Sequence, residues 1–136
     1  SLLRGRGGAM ADLNLDGLLD LAVVNRQGPL ELYQNVTQGA GNWLAVKLRQ
    51  APPNRDAIGA WIEVRLGDHV FARELTVGRC HAGGQITAEH FGLGSAQSAH
   101  IRVIWPDHTV SDWRQVGAGK MVFLTRDATG IKVSAY

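Results

Sequence analysis

At 136 residues the chain fits one domain, or one domain with a fragment of another, and its formal net charge of +2 is too small to argue for nucleic acid. Hydrophobic content of 45% with 19% charged residues is that of an ordinary soluble globular protein, and no apolar run is long enough to span a bilayer. Cys80 is alone, which excludes an internal disulfide, and seventeen glycines point to many turns, as in an all-β chain.

The first methionine is Met10, so the chain reads as a piece of something longer, and a missing signal peptide carries no weight on location. After a Gly/Arg-rich start comes Asp12-Leu13-Asn14-Leu15-Asp16-Gly17-Leu18-Leu19-Asp20, with oxygen-bearing side chains at alternate positions around a glycine turn. Such side chains repel one another when they converge, unless a cation sits between them. Calcium suits them, since it accepts six to eight oxygens at loose geometry. The expected ligands are the side chains of Asp12, Asn14, Asp16 and Asp20 and the carbonyl of Leu18. The loop starts like an EF-hand, but its twelfth position holds Val23 instead of a bidentate Glu, and no helices flank it. Asp20 then takes the closing role. The plain alternative is an Asx turn that binds nothing.

Leu19–Val24 and Leu30–Gln34 read as short strands around the breaker-rich turn Asn25-Arg26-Gln27-Gly28-Pro29. The linker 37–41 marks a boundary, leaving residues 1–36 and 41–136 as the two segments. Asn35-Val36-Thr37 fits a glycosylation sequon, a pattern short enough to arise by chance.

From Trp43 onward apolar residues alternate with polar ones. Leu44, Val46 and Leu48 mark one half-buried strand, and Ile62, Val64 and Leu66 another. Gly67-Asp68 supplies the hairpin turn into a strand over 70–77, and further strands are expected at 100–105, 109–113, 121–125 and 131–134. The stretch 78–87 has little periodicity, and loops of that length are often functional.

The acidic loop followed by an apolar strand resembles the FG-GAP/VCBS calcium loops of β-propeller blades. The run Asn54-Arg55-Asp56-Ala57-Ile58-Gly59-Ala60, then His90-Phe91-Gly92-Leu93-Gly94, then Trp105-Pro106-Asp107, resembles the ASPIC/UnbV domain. That domain follows FG-GAP repeats in bacterial surface and secreted proteins and in the cartilage acidic protein family. The resemblance implies a calcium-loaded blade, an extracellular or cell-envelope setting and an interaction role. Asp107-His108 stands where the family usually has a small residue and glycine, and Cys80 and His81 are also departures. Read physically, Asn54-Arg55-Asp56 makes a side-chain-capped turn in which Arg55 and Asp56 pair or hold carbonyls. Gly92 and Gly94 make a bend anchored by Phe91 and Leu93.

Catalytic patterns are weak. Cys80 and His81 are adjacent, so in extended chain they point to opposite faces and His81 is badly placed to activate the thiol. The five histidines lack zinc-site spacing, and no phosphate-binding glycine loop occurs. Trp43, Trp61, Trp105 and Trp113 are expected chiefly in core or sheet packing, with a sugar-stacking platform as the alternative.

The expectation is therefore an all-β protein: an antiparallel β-sandwich or barrel over 41–136, with a hairpin over 1–36 left from a propeller blade. Its expected function is a non-catalytic, calcium-binding interaction or adhesion module of an extracellular, periplasmic or cell-surface protein. The partner is an unknown protein or glycan, with no nucleic acid and no membrane span, and exposed strand edges offer a route to homo-oligomers. The alternative is a carbohydrate-binding or auxiliary domain of a secreted enzyme.

Overall fold

The computed structural model describes residues 4–78, 84–85, 88–128 and 130–136. Those residues form eleven strands and no helix, in three sheets. The chain divides into two compact units, Ser1–Ala40 with Thr76–Thr87, and Gly41–Leu75 with Ala88–Tyr136. The segment after Leu75 thus belongs with the first unit, although in sequence it lies inside the 41–136 stretch.

The first unit is built on one antiparallel sheet, β1 (Gly5–Ala11), β2 (Asp20–Asn25) and β3 (Glu31–Tyr33), in that order. The expected strands at 19–24 and 30–34 correspond to β2 and β3. β1 is an addition: Gly-Arg-Gly-Gly-Ala-Met-Ala carries almost no side-chain pattern, and its pairing with β2 is made by backbone. At the β2–β3 turn, the Asn25 amide donates to the Pro29 carbonyl at 3.0 Å and to Glu31 Oε2 at 2.9 Å. The outer edge of β1 is met by Gln85, whose carboxamide pairs with the Met10 backbone.

The second unit contains two four-stranded sheets. One runs β11 (Gly130–Ala135), β10 (Lys120–Asp127), β4 (Asn42–Arg49), β7 (Glu89–Gly94). The other runs β6 (His69–Glu74), β5 (Trp61–Leu66), β8 (Ser98–Ile104), β9 (Arg114–Gly117). Alternation along the strands sends Leu44, Val46, Leu48, Phe91, Leu93, Val122 and Leu124 inward from the first sheet, and Ile62, Val64, Ile101, Val103 and Val116 inward from the second. All join one core cluster, which defines a β-sandwich and not a closed barrel.

Pairing is antiparallel with one exception: β10 runs parallel to β4, with Val122 opposite Val46. That register comes from the connection between distant strands and has no signature in either strand's own sequence. Two local expectations are revised. The corner at 90–94 is a strand, β7, with Phe91 and Leu93 inward as core anchors. Residues 109–113 do not form a strand, because the Ser111 hydroxyl accepts the Val103 N–H at 2.9 Å and takes the place of a ladder carbonyl. Before β9, pairing with β8 is limited to an isolated Ile104–Val110 bridge and the Ser111 N–H donating to the Val103 carbonyl at 2.9 Å. At the start of β4, a Cβ on Gly41 would stand 2.6 Å from the Gly94 carbonyl oxygen, so only glycine lets the two backbones pass.

Candidate functional site

The acidic loop joins β1 to β2 and is shaped by its own side chains. Asp12 Oδ1 accepts the Asp16 N–H at 3.1 Å and Asp12 Oδ2 the Gly17 N–H at 2.8 Å. Asn14 Oδ1 shares the Asp16 N–H at 3.3 Å, and Asn14 Nδ2 donates to Asp16 Oδ2 at 2.8 Å. Asp16 Oδ1 in turn accepts the Leu18 N–H at 2.8 Å. Asp12 and Asn14 thereby share the Asp16 amide, and the Asp16 side chain is tied to Asn14 and to the Leu18 amide. Leu15 at φ 62° and Gly17 at φ 89° turn the chain between them, glycine taking its left-handed conformation without a steric penalty.

Asp20 is placed differently. It is 4% exposed, at the first position of β2, and accepts the Leu13 N–H at 3.0 Å through Oδ2 and the Asn35 N–H at 2.8 Å through Oδ1. Leu18 contributes its N–H to Asp16. Among the described residues no group of three or more His, Cys, Asp or Glu side chains is gathered closely enough to hold a metal. The donor set itself is all hard oxygen, and each carboxylate oxygen keeps a second lone pair beyond its backbone bond, which is the chemistry calcium accepts.

Asn35 was legible only as a sequon, yet it closes the base of this loop. Its N–H holds Asp20, its Nδ2 donates to the Leu19 carbonyl at 3.3 Å, and its Oδ1 accepts from Thr37 Oγ1 at 2.7 Å. Beside it on β3, hydrogen bonding to the Glu31 carboxylate pushes the Tyr33 hydroxyl above its ordinary pKa.

In the second unit, the 54–60 corner is capped by Asn54 and not by Arg55 or Asp56. Asn54 Oδ1 accepts the Ile58 N–H at 3.0 Å and its Nδ2 donates to the Ile58 carbonyl at 2.9 Å. Arg55 and Asp56 are exposed, outside the described ion pairs. Ala57, buried at φ 53°, and Ala60 enter the core, and the Gly59 N–H reaches the Leu75 carbonyl at 2.8 Å. Opposite this corner, Asp107 receives the Arg126 guanidinium at 2.8 Å and Thr109 Oγ1 at 2.7 Å, and these hold its carboxyl well below the usual range. The two features line a cleft of about 690 Å³ with Pro52, Pro53 and Pro106.

Of the four tryptophans only Trp105 is core, at 3% exposed, whereas Trp61 is 43% exposed. Trp43 stacks on His90 with ring centroids 5.7 Å apart, and Trp113 lies under the guanidiniums of Arg65 and Arg102 at 4.6 and 4.5 Å. Outward packing is therefore commoner than the sequence led one to expect. Cys80 and His81 lie outside the described residues.

A two-sheet sandwich with an amide-capped corner, joined in one chain to a small sheet bearing an acidic loop, makes this a β-sandwich module of a larger protein class. The chain belongs to the ASPIC and UnbV family, whose model matches residues 50–131 and takes in the corner, β7 and the Trp105 turn. It is similar to cartilage acidic protein 1 of Homo sapiens, 29% identical over 123 residues, covering 87% of this chain and 18% of that protein. Cartilage acidic protein 1 of Xenopus tropicalis matches at 29% over 124 residues, again 87% of this chain and 18% of the relative. The Mus musculus protein of that name matches at 29% over 109 residues. The chain spans less than a fifth of the length of these relatives.

Proposed function

We propose that the chain is a non-catalytic interaction module of an extracellular or cell-envelope protein, in which the acidic loop binds Ca²⁺. Residues 1–36 then represent the partial, last blade of an FG-GAP/VCBS-type propeller preceding the ASPIC/UnbV sandwich. The supporting observation is a turn of oxygen donors: Asp12 and Asn14 both accept the Asp16 N–H and Asp16 accepts from Asn14 and Leu18, while the Asp20 carboxylate is fixed separately by two N–H groups. When bound, calcium would supply charge neutralisation to Asp12, Asp16 and Asp20 and accept the Asn14 and Leu18 oxygens. The chain's own residues set the turn and hold the carboxylates in place. A non-catalytic reading agrees with the duties of three of the four buried polar side chains among the described residues. Asp20, Asn25 and Ser111 each hold backbone groups of strands and turns.

Extracellular calcium modules bind at roughly 10⁻⁴–10⁻³ M. At 10 mM calcium such a site stabilises its unit by about 1.4–2.7 kcal/mol. The test is thermal unfolding of wild type and Asp16→Asn in calcium and in chelator. The asparagine keeps the acceptor for the Leu18 N–H but removes the charge. Wild type is expected to melt higher in calcium and the variant equally in both. A wild type indifferent to calcium, in melting and in titration calorimetry alike, rejects the reading.

A further inference from the structure

The outward faces of the two sandwich sheets differ in charge. On the β6–β5–β8–β9 sheet, Arg65 and Arg102 lie over Trp113, and the outward carboxylates of Glu63, paired with Arg102, and Glu74 offset the two cations. On the β11–β10–β4–β7 sheet, the strand pairings place Ser134, Phe123 and Lys47 in one outward row and Lys132, Thr125 and Arg49 in the next. Arg49 covers Phe123 at 3.8 Å from the ring centroid. Tyr136 stacks on the same Phe123, centroids 5.7 Å apart, and is 73% exposed. Trp43, further along the outward positions of β4, stacks on His90. Between Trp43 and Lys47 the outward residue is Ala45, which is buried yet stands outside the core cluster. Among the outward positions of these four strands the sole carboxylate is Asp127, at the far end of β10.

We propose that this face binds an acidic polysaccharide, a chain of sugars bearing carboxylate or sulfate groups. The C–H faces of sugar rings pack on aromatic rings, and Lys47, Arg49 and Lys132 supply charge-assisted hydrogen bonds to the anions. From Trp43 to Arg49 the strand runs about 20 Å, a span for an extended polymer rather than a single small anion. Ser134 and Thr125 in the same outward rows add hydroxyls that suit the many hydroxyls of a sugar chain. The proposal rests on the reading of the chain as a binding module and names its partner class. It does not depend on calcium.

The test is titration of the full chain, at about 0.15 M salt so that long-range attraction is screened, with heparin, neutral dextran and a single-stranded oligodeoxythymidylate. Heparin binding without dextran binding is expected. Lys47→Glu/Arg49→Glu/Lys132→Glu should weaken it by about tenfold or more. Arg55→Glu/Arg65→Glu/Arg114→Glu carries the same change in net charge on other surfaces and should weaken it far less. Tyr136→Ser, at an exposed position where folding is safe, should weaken it by about two- to tenfold. Equal losses in the two triple variants, an unaltered Tyr136→Ser, or tighter binding of the oligonucleotide would each overturn the assignment. If the first triple variant does not fold, Lys132→Glu with Tyr136→Ser decides it in the same way. A chain that gains stability with calcium and ignores heparin keeps the module and loses this surface.

Discussion

The Gln85 carboxamide pairs with the Met10 backbone as though it were a peptide of a neighbouring strand: Met10 N–H donates to Oε1 at 3.3 Å, and Nε2 donates to the Met10 carbonyl at 2.6 Å. An edge strand with open N–H and C=O groups is a template for aggregation, and one side chain here occupies a position on that edge. Gln85→Leu should cost about 1 kcal/mol in chemical unfolding and speed hydrogen exchange at the Met10 amide. Unaltered exchange would mean that the pairing does not persist in solution.

Asp20 and Asp16 should separate in their dependence on calcium. Asp20 is buried and serves two backbone N–H groups, so Asp20→Ala should lose about 1–3 kcal/mol even in chelator. Asp16 is exposed, and under the proposed calcium binding its charge matters only with the cation present. The two melting curves in chelator distinguish a structural carboxylate from a purely ligating one.

The capped corner makes its own prediction. Asn54 uses both halves of its amide on Ile58, so Asn54→Ala and Asn54→Asp should each destabilise by about 1–2 kcal/mol. Aspartate keeps the acceptor but sets a carboxylate against the Ile58 carbonyl. A neutral Asn54→Asp would show that the donor half carries nothing.

Asp107 predicts an acid limb. Its folded-state pKa is depressed, first by the Arg126 hydrogen bond and then by Thr109, so its contribution is fully present above the unfolded value of about 3.9. The contribution is lost as pH falls further toward the folded value. The pair is largely solvent-exposed, so the effect is modest. Asp107→Asn should lower the melting temperature slightly at neutral pH and flatten its fall below pH about 4, where the variant and wild type converge.

Much of the fold was readable in the chain. Leu44, Val46 and Leu48 alternate because one sheet face is buried, and that pattern located β4; Ile62 and Val64 did the same for β5. Gly67-Asp68 marked its hairpin because Gly67 takes φ 56° there. β1 was not readable, since a glycine-rich strand has no alternation to detect, and β7 read as a corner because Gly92 interrupts its pattern. The spacing of Asp12, Asn14 and Asp16 marked a loop that these side chains hydrogen-bond into shape. Asn35 was not found, because it acts on Asp20 across 15 positions and no local pattern encodes that.

Side-chain periodicity and turn chemistry, which act over a few residues, were enough to specify strands, an inward face and an oxygen-rich loop. Folding chose what no short window contains: the parallel meeting of β10 with β4, Gln85 on the Met10 edge, and Lys47, Arg49 and Lys132 on one outward face. Those features depend on residues distant in the chain being brought together; within the sandwich, that proximity is set by packing two whole sheets on one core.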